Sequence, residues 1–242
     1  MPTRKTPGKI NSDTAAALAE INERVIACRK CPRLVEYRER VAQIKRRAYR
    51  DQVYWGRPVP GFGDPRAELL IIGLAPGAHG SNRTGRPFTG DASGVFLYRA
   101  LHRAGFANQP AAFSRDDGLA LQNAYITAVI RCAPPENSPL PQEILNCRPY
   151  LQQELEALKP RAVLALGQIA WVQYLRTLAA EGKISRPAKF EFAHGASVQL
   201  PGDLPRLFGS YHPSQQNTQT GKLTEEMFRR VLESIRRFLA RT

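Results

Sequence analysis

Apolar positions along this chain recur with two periods, and the switches between them mark its elements. Residues 69–72 form an unbroken apolar run, and 123–130, 161–167 and 204–210 are further short apolar or β-branched runs. Such runs read as strands buried on both faces. Helical spacing separates them: Val95, Leu97, Tyr98, Leu101 and Ala104, then segments 141–159 and 168–180. A last amphipathic helix over 224–241 turns Phe228, Val231, Leu232, Ile235, Phe238 and Leu239 inward and many arginines outward. Residues 14–47 carry helical apolar spacing broken once, at Cys28-Arg-Lys-Cys31-Pro32. Pro149 is expected in the first turn of a helix, where its missing N–H costs little, and 181–201, which fits neither period, is expected to hold an extra hairpin or loop. Strand, loop and helix alternate four times. That pattern predicts an α/β fold with a parallel sheet, helices on both faces, and every strand's C-terminal loop on one edge.

The loop after the first strand, residues 73–91, organises the rest. It holds five glycines and two prolines in nineteen residues, so it continues neither a strand nor a helix. It also carries His79, Asn82, Arg83, Arg86, Phe88, Thr89 and Asp91. Ligands of open α/β sheets gather at this edge, where loops and helix N-termini converge. Each residue also has a plainer role open to it. Asp91 fits a helix N-cap, Phe88 a core position, and Arg83 and Arg86 either phosphate contacts or solvated charge. His212, between a strand and Pro213-Ser214, is held extended at the same edge.

Length and charge narrow the partner. The 242 residues suit one domain over 11–242 behind a flexible basic tail at 1–10. Lys and Arg number 35 against 21 Asp and Glu, a formal charge of +14, which favours a polyanion such as nucleic acid. No run of eighteen apolar residues and no apolar leader core occur, so a cytoplasmic, membrane-free protein is expected. The four cysteines, Cys28, Cys31, Cys132 and Cys147, sit at punctuated sites. In a reducing compartment they suit tetrahedral zinc or a four-iron, four-sulfur cluster better than disulfides, and spacing alone does not separate the two.

Gly73-Leu-Ala-Pro76, Asn82-Arg-Thr-Gly-Arg-Pro-Phe-Thr-Gly-Asp91 and His212-Pro-Ser214, with the cysteines interleaved, resemble the type B (family 5) uracil-DNA glycosylases over nearly the whole chain. The resemblance implies a three-layer α/β/α sandwich around a four-stranded parallel sheet. It implies a 4Fe-4S cluster on Cys28, Cys31, Cys132 and Cys147, and a monomeric, nucleoid-associated base-excision-repair enzyme. Its substrate would be DNA containing uracil or other deaminated bases such as hypoxanthine. Sister families place an acidic residue where this chain has Leu74 and Ala75, and an asparagine where it has Ala128, so Asp91 and Asn137 become the candidates for those roles. His212 would donate to the departing base, Phe88 would stack on it, and Ala75, Gly77 and Ser214 would line its pocket. Arg83 and Arg86 would meet phosphate. A zinc-stapled nucleic-acid-binding module and an iron–sulfur electron carrier are the rival readings.

Overall fold

The computed structural model describes residues 12–241; the expected basic tail at 1–10 lies outside them. In chain order the elements are α1 (Ser12–Ile26), α2 (Pro32–Ile44), β1 (Phe62–Gly63), β2 (Leu69–Gly73), α3 (Ser81–Thr84), α4 (Ala92–Arg103) and β3 (Ala124–Ala128). They continue with α5 (Pro141–Leu158), β4 (Ala162–Leu166), α6 (Gln168–Ala180), β5 (Ser197–Val198), β6 (Arg206–Ser210), α7 (Gln215–Gln219) and α8 (Glu225–Leu239).

The apolar runs form the middle of the sheet. Among the described residues its order is β1-β3-β2-β4-β6-β5. The inner four strands are mutually parallel, as expected, and the two-residue strands β1 and β5 add antiparallel edges on β3 and β6. The awkward 181–201 segment supplies β5. Short edges of this kind leave little backbone open to unwanted pairing.

Alternation along the strands builds two cores. Leu70, Ile72, Val163 and Ala165 point to one face, against Val25 of α1, Leu151 of α5 and Trp171 of α6. Leu69, Ile71, Ala162 and Leu164 point to the other, against Leu97 and Leu101 of α4 and Phe228 and Ile235 of α8. The result is the three-layer α/β/α sandwich. After β2 the chain moves to one side of the sheet, and after β3 it crosses back past β2. The loops therefore diverge beyond the carboxyl ends of β2 and β4, the place where such sheets hold ligands.

Two local expectations change. Pro149 lies inside α5, which runs unbroken from Pro141 to Leu158. Proline removes the N–H that would bond the Leu145 carbonyl, but both residues lie on the exposed side of the helix, where a freed carbonyl costs less than in the core. The 73–91 loop also contains one helical turn, α3.

Polar burial concentrates at one point. The Arg131 guanidinium donates to Glu154 Oε2 at 2.5 Å, and Thr127 Oγ1 donates to the same oxygen at 2.6 Å, with the two charged side chains 2% and 0% exposed. This pair fastens the end of β3 to α5. Removing one partner strands a buried charge, so Glu154→Ala is expected to cost about 3–5 kcal/mol. Urea unfolding checks this; a loss under about 1 kcal/mol would mean that water reaches Arg131.

Candidate functional site

The site is assembled by close backbone approach in the 73–91 loop. A Cβ on Gly73 would lie 3.0 Å from the Phe88 ring, so the bare backbone at the end of β2 makes room for that ring. Phe88 holds φ +50°, a left-handed conformation that a phenylalanine adopts only when its surroundings fix it. The loop folds back through Asn82 N donating to Gly77 O at 3.0 Å and Thr84 Oγ1 donating to Thr89 O at 3.2 Å.

Asp91 does cap α4, with Oδ1 accepting from Gly94 N at 2.9 Å. Its second oxygen faces the loop. A Cβ on Gly80 would stand 2.0 Å from Oδ2 and one on Gly77 3.2 Å, so the carboxylate rests against bare glycine backbone. Burial raises the Asp91 pKa above the ordinary carboxylate value, and the Gly94 and Ser93 N–H groups and the Arg83 charge oppose that rise.

At the end of β6, His212 is half-buried, and the desolvation of its ring pushes its pKa down to about 4, so the ring is neutral at neutral pH. Asn217 Nδ2 holds the His212 carbonyl at 2.9 Å. The His212 and Phe88 rings lie 5.8 Å apart, tilted by 32°.

A cavity of about 790 Å³ opens along this edge. Asp91, His212 and Phe88 wall it together with Ala75, Gly77, Ala128, Asn137 and Ser214. Asn137 reaches it from the exposed turn Pro135–Asn137. Ser214 also caps α7, its Oγ accepting from Asn217 N at 3.3 Å.

Arg83 and Arg86 do not meet solvent as expected. Arg83 donates to His79 O at 2.8 Å, Gln52 Oε1 at 2.5 Å and Gly90 O at 2.7 Å, and stacks on Tyr49. Arg86 pairs with both oxygens of Asp117, at 2.8 and 2.7 Å, and donates to Thr89 Oγ1 at 2.9 Å. Both are buried, because a loop this rich in glycine needs side-chain donors to hold its carbonyls, and neither presents a charge to phosphate. Their work is to set the position of Asp91. Sequence reading also passed over Tyr54, whose hydroxyl meets His79 Nδ1 at 3.1 Å beside the cavity. The aromatic loop before β2 was the available signal.

The four cysteines converge. Cys28, Cys31, Cys132 and Cys147 wall one small enclosed cavity with Leu34, Pro58 and Tyr150. Donors turn toward the sulfurs: an Arg38 N–H group lies 3.7 Å from Cys132 Sγ, and Asn146 Nδ2 lies 3.5 Å from Cys31 Sγ. Arg38 is buried, and its Nε has no partner. Burial raises the Cys132 thiol to about 12 and the Cys147 thiol to about 11. Among the described residues no three His, Cys, Asp or Glu side chains are drawn together as for a lone metal ion.

The family model of the uracil DNA glycosylase superfamily matches residues 60–236. A type-5 uracil-DNA glycosylase of Thermus thermophilus is 54% identical, covering 87% of this chain and 93% of the relative. One from Mycobacterium bovis is 53% identical, covering 88% and 78%. A type-4 uracil-DNA glycosylase of Saccharolobus solfataricus is 31% identical, covering 73% and 76%.

The depressed His212 pKa has a stability consequence. The unfolded chain protonates this histidine near pH 6.5 and the folded chain only near 4, so stability is full above pH 6.5 and falls as pH drops from there through 4. His212→Gln should lose less stability than the wild type between pH 7 and pH 4, by about 3 kcal/mol. Urea unfolding at both pH values tests this; identical losses would place the neutral ring elsewhere.

Proposed function

The chain belongs to the uracil-DNA glycosylase superfamily and to its type-5 branch, and from that premise we propose an iron–sulfur hydrolase that frees uracil and other deaminated bases, hypoxanthine among them, from DNA. The observation that carries this reading is the pairing of a half-buried carboxylate, Asp91, with a half-buried neutral imidazole, His212, on one cavity.

The reaction breaks the bond between the sugar C1′ and the base nitrogen, and the bonding electrons leave with the base. The extruded base enters beside Phe88. His212, neutral, donates an N–H to the base oxygen on which negative charge grows, the role of an oxyanion donor. Asp91 faces the positive charge that develops on the sugar. Its carboxylate also orients water for attack at C1′ and takes up the proton that this water loses. The products are the free base and an abasic site.

Breadth toward the base follows from the wall. Ala128 presents only a methyl group at the end of β3, and Gly77 leaves backbone where a side chain would narrow the entrance. A pocket without a fixed amide at Ala128 does not penalise a base that lacks uracil's hydrogen-bonding edge. Asn137, on an exposed turn, approaches from the rim.

The cysteine set fits a cluster. Four thiolates carry negative charge beside the buried Arg38 guanidinium, which reaches Cys132 Sγ with one N–H, pairs with Glu39 at 3.5 Å and keeps its Nε unpartnered. Cys28, Cys31, Cys132 and Cys147 would hold the cluster, which when bound supplies a structural cross-link between the α1–α2 turn, the loop after β3 and helix α5.

Three outcomes are expected. The protein purified without air is brown, with four irons per chain; a colourless zinc protein would favour the nucleic-acid-binding alternative. It releases uracil and hypoxanthine from matched duplexes, and an electron carrier would release neither; uracil alone would place discrimination on Asn137. Asp91→Asn keeps the cap but slows single-turnover excision about a hundredfold, and His212→Ala does so to a similar degree. An Asp91→Asn enzyme at the wild-type rate would remove Asp91 from the chemistry.

A further inference from the structure

The strand ladder of β6 stops at Ser210, two residues short of His212. Past the ladder a side chain takes over. Tyr211 N donates to His194 Nδ1 at 3.2 Å. A ring nitrogen that accepts carries no proton, so the neutral His194 ring is protonated on Nε2. Ser210 Oγ lies 3.4 Å from the same Nδ1 and turns its own proton to Tyr211 O at 3.0 Å. The His194 and Tyr211 rings stack, with centroids 5.0 Å apart and planes 25° from parallel, and His194 also bonds the Met227 backbone in α8.

His194 is itself clasped to the strand. Gly195 N donates to Gly209 O and Gly209 N to Ala196 O, each at 2.9 Å. A Cβ on Gly209 would stand 2.7 Å from Ala193 O, so residues 193–196 lie against bare β6 backbone. On the other side of His212, Asn217 Nδ2 holds its carbonyl at 2.9 Å. Among the described residues no hydrogen bond holds the His212 ring, which packs on Phe88. The direction of its N–H is therefore set by the backbone at 211–212, tethered by His194 before the ring and by Asn217 after it.

We propose that His194 is a positioning residue for base release: through Tyr211 it holds the His212 ring where its N–H meets the oxygen of the departing base. This rests on the glycosylase reading above, in which His212 is that donor. A misplacement of about 1 Å at a reacting group costs about a hundredfold in rate, so a partial slackening at Tyr211 is felt in the chemical step. DNA binding, which His194 does not touch, is unaffected.

The test is single-turnover excision of uracil and of 5-fluorouracil from otherwise identical duplexes, well below each variant's melting temperature. Fluorine withdraws charge, so 5-fluorouracil leaves as a more stable anion and depends less on a donor. His194→Ala is expected to slow uracil excision about tenfold and 5-fluorouracil excision by about threefold or less, with DNA binding within about twofold of wild type. His194→Asn, whose Oδ1 accepts from Tyr211 N in place of Nδ1, should recover most of the rate. Added to His212→Ala, His194→Ala should cost less than about twofold more, since the two act through one ring. A His194→Ala enzyme at the wild-type rate, an equal loss on both bases, or a full second loss in the double variant would overturn the positioning role. A wild-type protein that releases neither base, or a His212→Ala enzyme at the wild-type rate, would instead overturn the reading on which it rests.

Discussion

The contact between the Asp91 carboxylate and the bare backbone of Gly80 is the constraint from which the site follows. Any side chain at position 80 would occupy the space of Oδ2. That approach buries the carboxylate, raises its pKa, and leaves one oxygen capping α4 and the other turned into the loop. The buried arginines exist to hold this arrangement. Arg83 bonds Gly90 O immediately before Asp91, and Arg86 locks the 86–89 turn through Thr89 and Asp117.

A second consequence of burial is the division of charge between Asp91 and His212. His212 stays neutral because burial penalises its cation, so in the proposed reaction it would donate a proton-bearing nitrogen without repelling the sugar cation. Burial raises the Asp91 pKa, and the backbone N–H groups of Gly94 and Ser93 and the Arg83 charge oppose that rise by favouring the anion. Across the sheet, Arg131 lies between the two halves of the molecule, walling both the cysteine cavity and the base cavity while paired to Glu154. The proposed cluster and the site therefore share a wall.

The layered architecture was legible because unbroken apolar runs have few alternatives in a chain of this length. Leu69 to Ile72 form a buried strand exactly where the run lies, and the alternation of helices fixes the faces. The edge strands were not legible, since two residues carry no period. Pro149 misled because proline alone suggested a helix first turn, whereas it lies on the exposed face inside α5. Glycine and aspartate in one loop pointed to the site, but the inward turn of Arg83 and Arg86 depends on partners distant in sequence, Gln52 and Asp117. No spacing rule reports such a partner. The convergence of Cys28, Cys31, Cys132 and Cys147 was expected from the sequence, and the fold brings the four around one cavity.

The central claim is that glycine at position 80 seats the catalytic carboxylate. Single-turnover excision of uracil from duplex DNA by Gly80→Ala measures this directly, with DNA binding and the melting temperature as controls. The account expects a loss of about a hundredfold, comparable to that of Asp91→Asn, with DNA binding retained. A Gly80→Ala enzyme that excises uracil at the wild-type rate would contradict it.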